Sequence, residues 1–512
     1  MLRHFFFLLG GVVICAATAQ TVDVPVSVSY GDRIEFPVEQ QTTRPPIVLP
    51  VGEDGVVYLL QAKRPQDRFS YRWQFVHCDT NLRERWRGDY LLTNDQMVRA
   101  YHQDHKNLYL LFTKQNSFDH IVYQVNLRTG AVVVNNIYAL LNVNFDDLFV
   151  SGDDLLLQGL LNGRPVVVHH DLNSRRSRVL SSIYGNNAEI DDIYADPYSG
   201  RLHVTVAGYR RRKSRLFENI YAPGGDLISS REVTASSRDR NLLSARLVNP
   251  SPERQIMVGT YSDQSLYFPQ GTFVVRRDPD GETEPLMNDF TEFDNFFNHL
   301  KPNRRERIQR RIFRKQERGK EFRVRYRFLV HDLVPVGDDH YLFVAEAYYP
   351  QYRSEASATI TGYGTYRVFD GFRHTHVFLC LLDADGRRIW DNSLVTPKMT
   401  SFELQELATV QAHGDTVSVV LRDDDNEVSV HQIVSGKLAE TPMTLEVPRA
   451  HLGDEFTKTR SLHIHPWYGD RLLVWGEQRV VNRRVLNGAL NRDVYFLSGG
   501  GLLPLPVQTQ GE

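Results

Sequence analysis

The chain has 512 residues, with 60 Lys and Arg against 62 Asp and Glu, a formal charge of −2 and 41% hydrophobic residues. That length exceeds one ordinary core, taken at roughly 100–200 residues per domain, so it calls for several domains or a large repeat array. The near-neutral charge excludes a globally basic nucleic-acid binder, 11% aromatic content excludes a disordered chain, and three cysteines exclude a small disulfide scaffold.

Residues 1–19 read as a signal peptide. Arg3 supplies the positive start, Phe5–Cys15 the apolar stretch, and Ala17-Thr18-Ala19 the small-residue cleavage pattern. Lipid anchoring at Cys15 is disfavoured, because Ile14 stands where a small residue is usual. No later run reaches the ~18 apolar residues of a membrane helix. The mature protein is therefore expected to be secreted, to the periplasm or beyond, and not transmembrane. Residues 20–46 are read as an N-terminal extension and 507–512 as a C-terminal tail.

Between them, over 47–506, one unit recurs. A short apolar strand appears as Val56–Leu60, Leu108–Phe112, Leu155–Leu157, Leu202–Val206, Ile256–Val258, Tyr341–Val344, Val417–Leu421 and Leu472–Trp475. These runs are too short for helices and rich in β-branched and aromatic residues. Their continuous apolarity implies burial on both faces. Each is followed by a hairpin turn: Asp79-Thr80-Asn81, Arg128-Thr129-Gly130, Asn173-Ser174-Arg175, Pro223-Gly224-Gly225, Pro279-Asp280-Gly281, Ala384-Asp385-Gly386, Val434-Ser435-Gly436 and Ser498-Gly499-Gly500. Gly, Asn and Asp suit such turns because they accept positive φ. A fourth strand precedes each apolar one, as in Ile190–Tyr194 and Leu242–Val248.

Eight units of four antiparallel strands resemble the β-propellers, an all-β fold of radially repeated sheets. The resemblance rests on period alone. Blade signatures such as a regular Trp-Asp pair or the Gly-Gly of kelch repeats are missing, so it carries no site residues across. Seven blades plus an N-terminal sheet, or two smaller β domains, are the alternatives. In an eight-unit ring Cys78 and Cys380 lie on non-neighbouring units, out of disulfide reach.

Two insertions break the repeat, and strand parity sends both to the same end of the ring. Segment 288–325 predicts a helical hairpin. Asp289 with Glu292, and Asn303 with Glu306, have capping spacing, and Phe290, Phe293, Phe296, Phe297 and Leu300 form a stripe. Lys301–Arg325 holds twelve Lys and Arg against Glu306, Glu317 and Glu321, a net +9, while the rest of the chain past residue 19 carries −12. Lying between units, 288–325 is expected to be removable without loss of the fold. Segment 349–372 predicts an aromatic loop, flanked by Tyr348.

Tyr348, Tyr349, Tyr352, Tyr363 and Tyr366 are candidate binding residues, because Tyr offers apolar area with a polar handle. Arg304, Arg310, Arg311 and Arg314 are candidates for an anionic surface. The same bases would equally serve a solvated helix packed on the ring. The pairs His374/His376 and His463/His465 put two rings on one strand face but lack a third metal ligand, and Asp423–Glu427 reads as an acidic turn. No G-x-S-x-G, P-loop, H-E-x-x-H or G-x-G-x-x-G pattern occurs, so the sequence offers no catalytic, metal or cofactor site. The expectation is an exported envelope propeller that binds or scaffolds a protein or glycan. The rival is a hydrolase or lyase acting on a polysaccharide or peptide from the central cavity.

Overall fold

A computed structural model describes residues 26–38, 45–63, 70–93, 96–114, 120–137, 143–185, 187–210, 213–234, 240–337, 339–359, 362–445, 447–451, 453–469, 471–482, 484 and 491–504. The expected signal peptide, Cys15 and the expected C-terminal tail, 507–512, lie outside these residues.

The described strands form eight antiparallel sheets in chain order. We number them blades one to eight; blade one begins at Ile47–Pro50 and blade eight at Asp454–Pro466. In blades one to seven the first strand in sequence lies innermost; in blade eight that place belongs to Asp454–Pro466. The second strands explain the apolar runs. Leu108, Leu110 and Phe112 join Val57, Leu59 and Phe75 in the core between blades one and two, while Tyr109 and Leu111 face blade three. Period-two alternation thus feeds two neighbouring cores from one strand. Every adjacent pair of blades shares such a core, including blades eight and one, where Trp467, Leu473 and Leu497 meet Val56, Tyr58 and Val76. The ring is closed, and the fold is an eight-bladed β-propeller.

Closure uses a strand that the sequence reading put outside the ring. Val26–Pro37 pairs with Asn491–Pro504 as the outermost strand of blade eight, from Val26 opposite Pro504 to Pro37 opposite Val494. Ser498-Gly499-Gly500, expected as a turn, therefore lies within a continuous strand. With the fourth position already taken, the chain has no need to turn back. A Cβ at Gly499 would sit 2.6 Å from the Trp467 ring, so glycine is there for close packing. The other seven proposed turns are turns or bends; at Gly130 (φ +70) the missing Cβ also admits the Trp86 ring.

Cys78 and Cys380 are free and buried, in the blade eight–one and blade five–six cores. Among the described residues no helix is long and apolar enough to cross a membrane.

The expected helical hairpin is a single helix, Pro302–Gln316. Upstream, Leu286–Asp289 still pairs with blade five, and Phe290–Glu292 makes one 3-10 turn, with Asp289 accepting from the Thr291 amide. The Phe residues then leave the helical path because the wedge between blades five and six takes them individually. Phe290, Phe293, Phe296 and Phe297 are buried with Val258, Val274, Phe343 and Phe378. Asp391 of blade six accepts from the amides of Asp294 (3.1 Å) and Asn295 (2.7 Å), fixing a turn where a helix would need those groups internally.

Candidate functional site

The basic helix lies outside this wedge. Ile312 is buried and Ile308 half-buried against the Phe cluster. At 3.6 residues per turn, Arg307, Arg310 and Arg314 fall opposite Ile312, with Arg311 on the flank. All four are exposed, as is Arg304. Among the described residues none of these five has a carboxylate within ion-pair distance. Arg305, by contrast, donates to Asn298 at 2.7 Å, and Lys315 to the Glu321 carbonyl at 2.9 Å. Phe313 stands 62% exposed beside the stripe.

The aromatic segment is a long hairpin, the extension of His340–Thr359 and Gly362–Leu382 beyond blade six. Its rings pack on one another: Tyr352 on Phe369 at 5.8 Å, Phe369 on Phe372 at 5.0 Å, and Phe372 on Tyr348 at 5.7 Å. The Tyr366 hydroxyl donates to Glu355 at 2.9 Å. Strand alternation separates the candidates, so Tyr348 is half-buried towards the central channel while Tyr349 is exposed. Tyr352 and Tyr366 are exposed too, and the side chain of Tyr363 lies outside what is described. Among the described residues the rings of the Phe cluster pack on Tyr326, Phe328 and Phe378, and none packs on Tyr348, Tyr349, Tyr352 or Tyr366.

Two groups centre on residues that were not singled out from sequence, although Tyr348 lines the first and His374 belongs to the second. The first surrounds a cavity of about 670 Å³ at the loop-rich mouth of the channel, walled by blades four, five and six. Deep in it, Arg246 donates to the carbonyls of Asp191 (3.0 Å) and Val330 (2.8 Å) and pairs with Asp332 at 3.2 Å. Asp191 occupies a β-bulge between Ile190 and Asp192 on the innermost strand, which turns consecutive carboxylates towards Arg246. Burial pushes Asp192 up to about 7, against the pull of Arg246.

The second group centres on Glu346, fully buried between blades six and seven. It accepts from His331 (2.9 Å), His374 (2.5 Å) and the amides of Leu407 and Ala408 (both 2.8 Å). Burial alone would raise its pKa, but the hydrogen bonds from the two histidines prevail and hold it at about 2. His331 is opposed by burial too, yet its bond to Glu346 and the nearby Glu406 hold it above the ordinary histidine range.

The His374/His376 pair does not act as one. A register shift between them sends His374 to Glu346 and His376 to the opposite side of the blade, stacked on His299 at 3.6 Å. A lone Glu inside the apolar run 341–347 was the available signal for the buried knot.

Comparison with solved structures returns propellers at low identity. The Dos1 propeller aligns over 80% of this chain and 92% of its own at 10% identity and TM-score 0.40. The β-propeller domain of the trilobed protease from Pyrococcus furiosus aligns over 81% and 98% at 10% identity and TM-score 0.37. The polysaccharide lyase Uly1 aligns over 93% and 100% at 9% identity and TM-score 0.39. No protein-family model and no curated protein matches. At these identities and TM-scores none of the neighbours says what this chain binds or does.

Proposed function

We propose that this chain is an exported, non-enzymatic propeller of the cell envelope that binds or scaffolds an envelope protein or glycan of anionic character. The observation that carries this reading is the exposed stripe of Arg307, Arg310, Arg311 and Arg314, without carboxylate partners among the described residues. Like charges three and four apart repel on a helix surface, so the stripe costs stability until a partner covers it. Tyr349, Tyr352 and Tyr366 add exposed aromatic area of the kind that anchors interfaces. Export makes nucleic acid an unsuitable partner.

The test is capture from an envelope extract across a salt series. Charge reversal at Arg310, Arg311 and Arg314 is expected to weaken capture and flatten its salt dependence while the melting temperature holds. Unchanged capture by a folded variant would sink the reading. The rival, a propeller hydrolase or lyase acting on a polysaccharide or peptide, is favoured by one observation: Asp192 at about 7 beside Arg246 is suited to proton transfer near neutral pH. Turnover by the wild type that disappears in Asp192→Asn, with binding intact, would support it.

A further inference from the structure

The channel-mouth cavity has the chemistry of a ligand site separate from the arginine stripe. Its volume, about 670 Å³, falls in the usual range of small-ligand pockets, roughly 300–1,000 Å³. Most of its wall is strand, hence rigid. Among the loop residues in the wall, Tyr267 is held in place because Ser265 Oγ accepts from the amides of Tyr267 (3.0 Å) and Phe268 (2.9 Å). Tyr267 is nevertheless 63% exposed, so its ring is available at the rim.

The charged groups divide into spent and unspent. Arg246 is spent on three carbonyls, Asp191 and Asp332. Asp191 also accepts from the Ala245 amide at 2.5 Å. Arg327 is different. Its guanidinium lies over the rings of Tyr267 (5.1 Å) and Phe268 (5.9 Å), and among the described residues no carboxylate pairs with it. Stacking leaves the in-plane N–H donors free to point at a ligand. In the same cavity Glu189 is exposed and accepts one bond, from the Tyr209 hydroxyl at 3.3 Å. A carboxylate has about four lone-pair sites, so most of its capacity remains.

Unspent donors and unspent acceptors in one cavity suit a ligand that offers both. Among the lining residues two carboxylates, Glu189 and Asp191, face two guanidinium groups, Arg246 and Arg327, so the lining itself carries no net formal charge. Sugar hydroxyls donate and accept at once, and the C–H face of a pyranose matches an exposed tyrosine ring. We propose that this cavity binds a neutral oligosaccharide, with Arg327 and Glu189 bonding its hydroxyls and Tyr267 against a ring face.

The experiment is isothermal titration of the full mature chain with cellotetraose, maltotetraose, xylotetraose, laminaritetraose, mannotetraose and chitotetraose, beside tetragalacturonate and tetra-alanine. At least one neutral tetrasaccharide is expected to bind, and Tyr267→Ala and Arg327→Gln should each weaken it about tenfold, the size of a lost anchoring contact. Both side chains are solvent-accessible, so melting should hold. Arg310→Gln should leave sugar binding unchanged, which separates this result from the fate of the envelope-partner reading. The proposal is overturned if only tetragalacturonate or only the peptide binds, if no neutral sugar binds more tightly than about 10 mM, or if both variants bind like wild type.

Discussion

The two halves of the inserted segment have opposite relations to the ring. Residues 290–300 put four Phe side chains into the wedge between blades five and six, where Phe290 and Phe296 stack at 4.3 Å and Phe293 meets Phe378 edge-on at 5.2 Å. Residues 302–316 pack on that core through Ile308 and Ile312, with Lys315 over the Phe322 ring, and leave Arg304, Arg307, Arg310, Arg311 and Arg314 exposed. One half has become part of the scaffold; the other is a surface mounted on it. Deleting the whole of 288–325 would remove both, so the expectation that the fold survives such a deletion does not follow from this packing.

The contrast can be broken most sharply at Phe296. Replacement by Ala should cost about 3–5 kcal/mol, the usual range for a buried Phe, read by urea unfolding; a loss under about 1 kcal/mol would mean the segment is a dispensable cover. Glu346 extends the comparison from buried rings to a buried charge. Glu346→Gln leaves His331 and His374 without their acceptor carboxylate and should cost about 3 kcal/mol. A neutral effect on the melting temperature would show the knot to be ornamental.

The same carboxylate sets a pH limit. Its folded pKa, about 2, lies below the unfolded value near 4.5. Its contribution is therefore complete above about pH 5 and lost as pH falls towards 2. Glu218, also held at about 2 by His203, Arg231 and Arg277 against burial, adds to this limb. His331, raised on folding, contributes below the ordinary histidine pKa and loses that contribution as pH rises through its folded value. Acid unfolding monitored by circular dichroism should set in nearer neutral pH in Glu346→Gln than in wild type, and the stability of the variant should fall less steeply between about pH 5 and 2. Coincident acid limbs would remove Glu346 from the account.

The smallest effect belongs to the exposed half. Arg311→Gln should change stability by no more than a few tenths of a kcal/mol, in the stabilising direction, because it relieves repulsion from Arg307 and Arg314. A loss of 1 kcal/mol or more would place Arg311 in the scaffold.

What the sequence made legible follows the range of the forces. Apolar strands and Gly- or Asp-bearing turns are local patterns, and they located most strands. The Phe spacing was local too and pointed to a helix, but the partner that fixes residues 294–295 is Asp391, nearly a hundred positions away. The bulge between His374 and His376 hid their separation, since spacing two implies one face only in an unbroken strand. The channel cavity draws on blades four, five and six at once, and no run of sequence contains it.

The outer strand of blade eight also has a consequence for the order of events during folding. Val26 must find Pro504, the most distant pairing in the described chain. While the polypeptide emerges amino end first, Val26–Pro37 has no partner strand and must wait until blade eight exists. The loop entropy of that wait grows only logarithmically with length, so the thermodynamic burden is modest and the delay is chiefly kinetic. Once joined, the seam is locked by charges drawn from both ends: Arg492 reaches Glu35 at 2.9 Å and Asp454 at 2.7 Å, and Arg33 reaches Gln478 at 2.9 Å. Seven blades can accumulate in sequence, but the circle becomes a circle in a single late step.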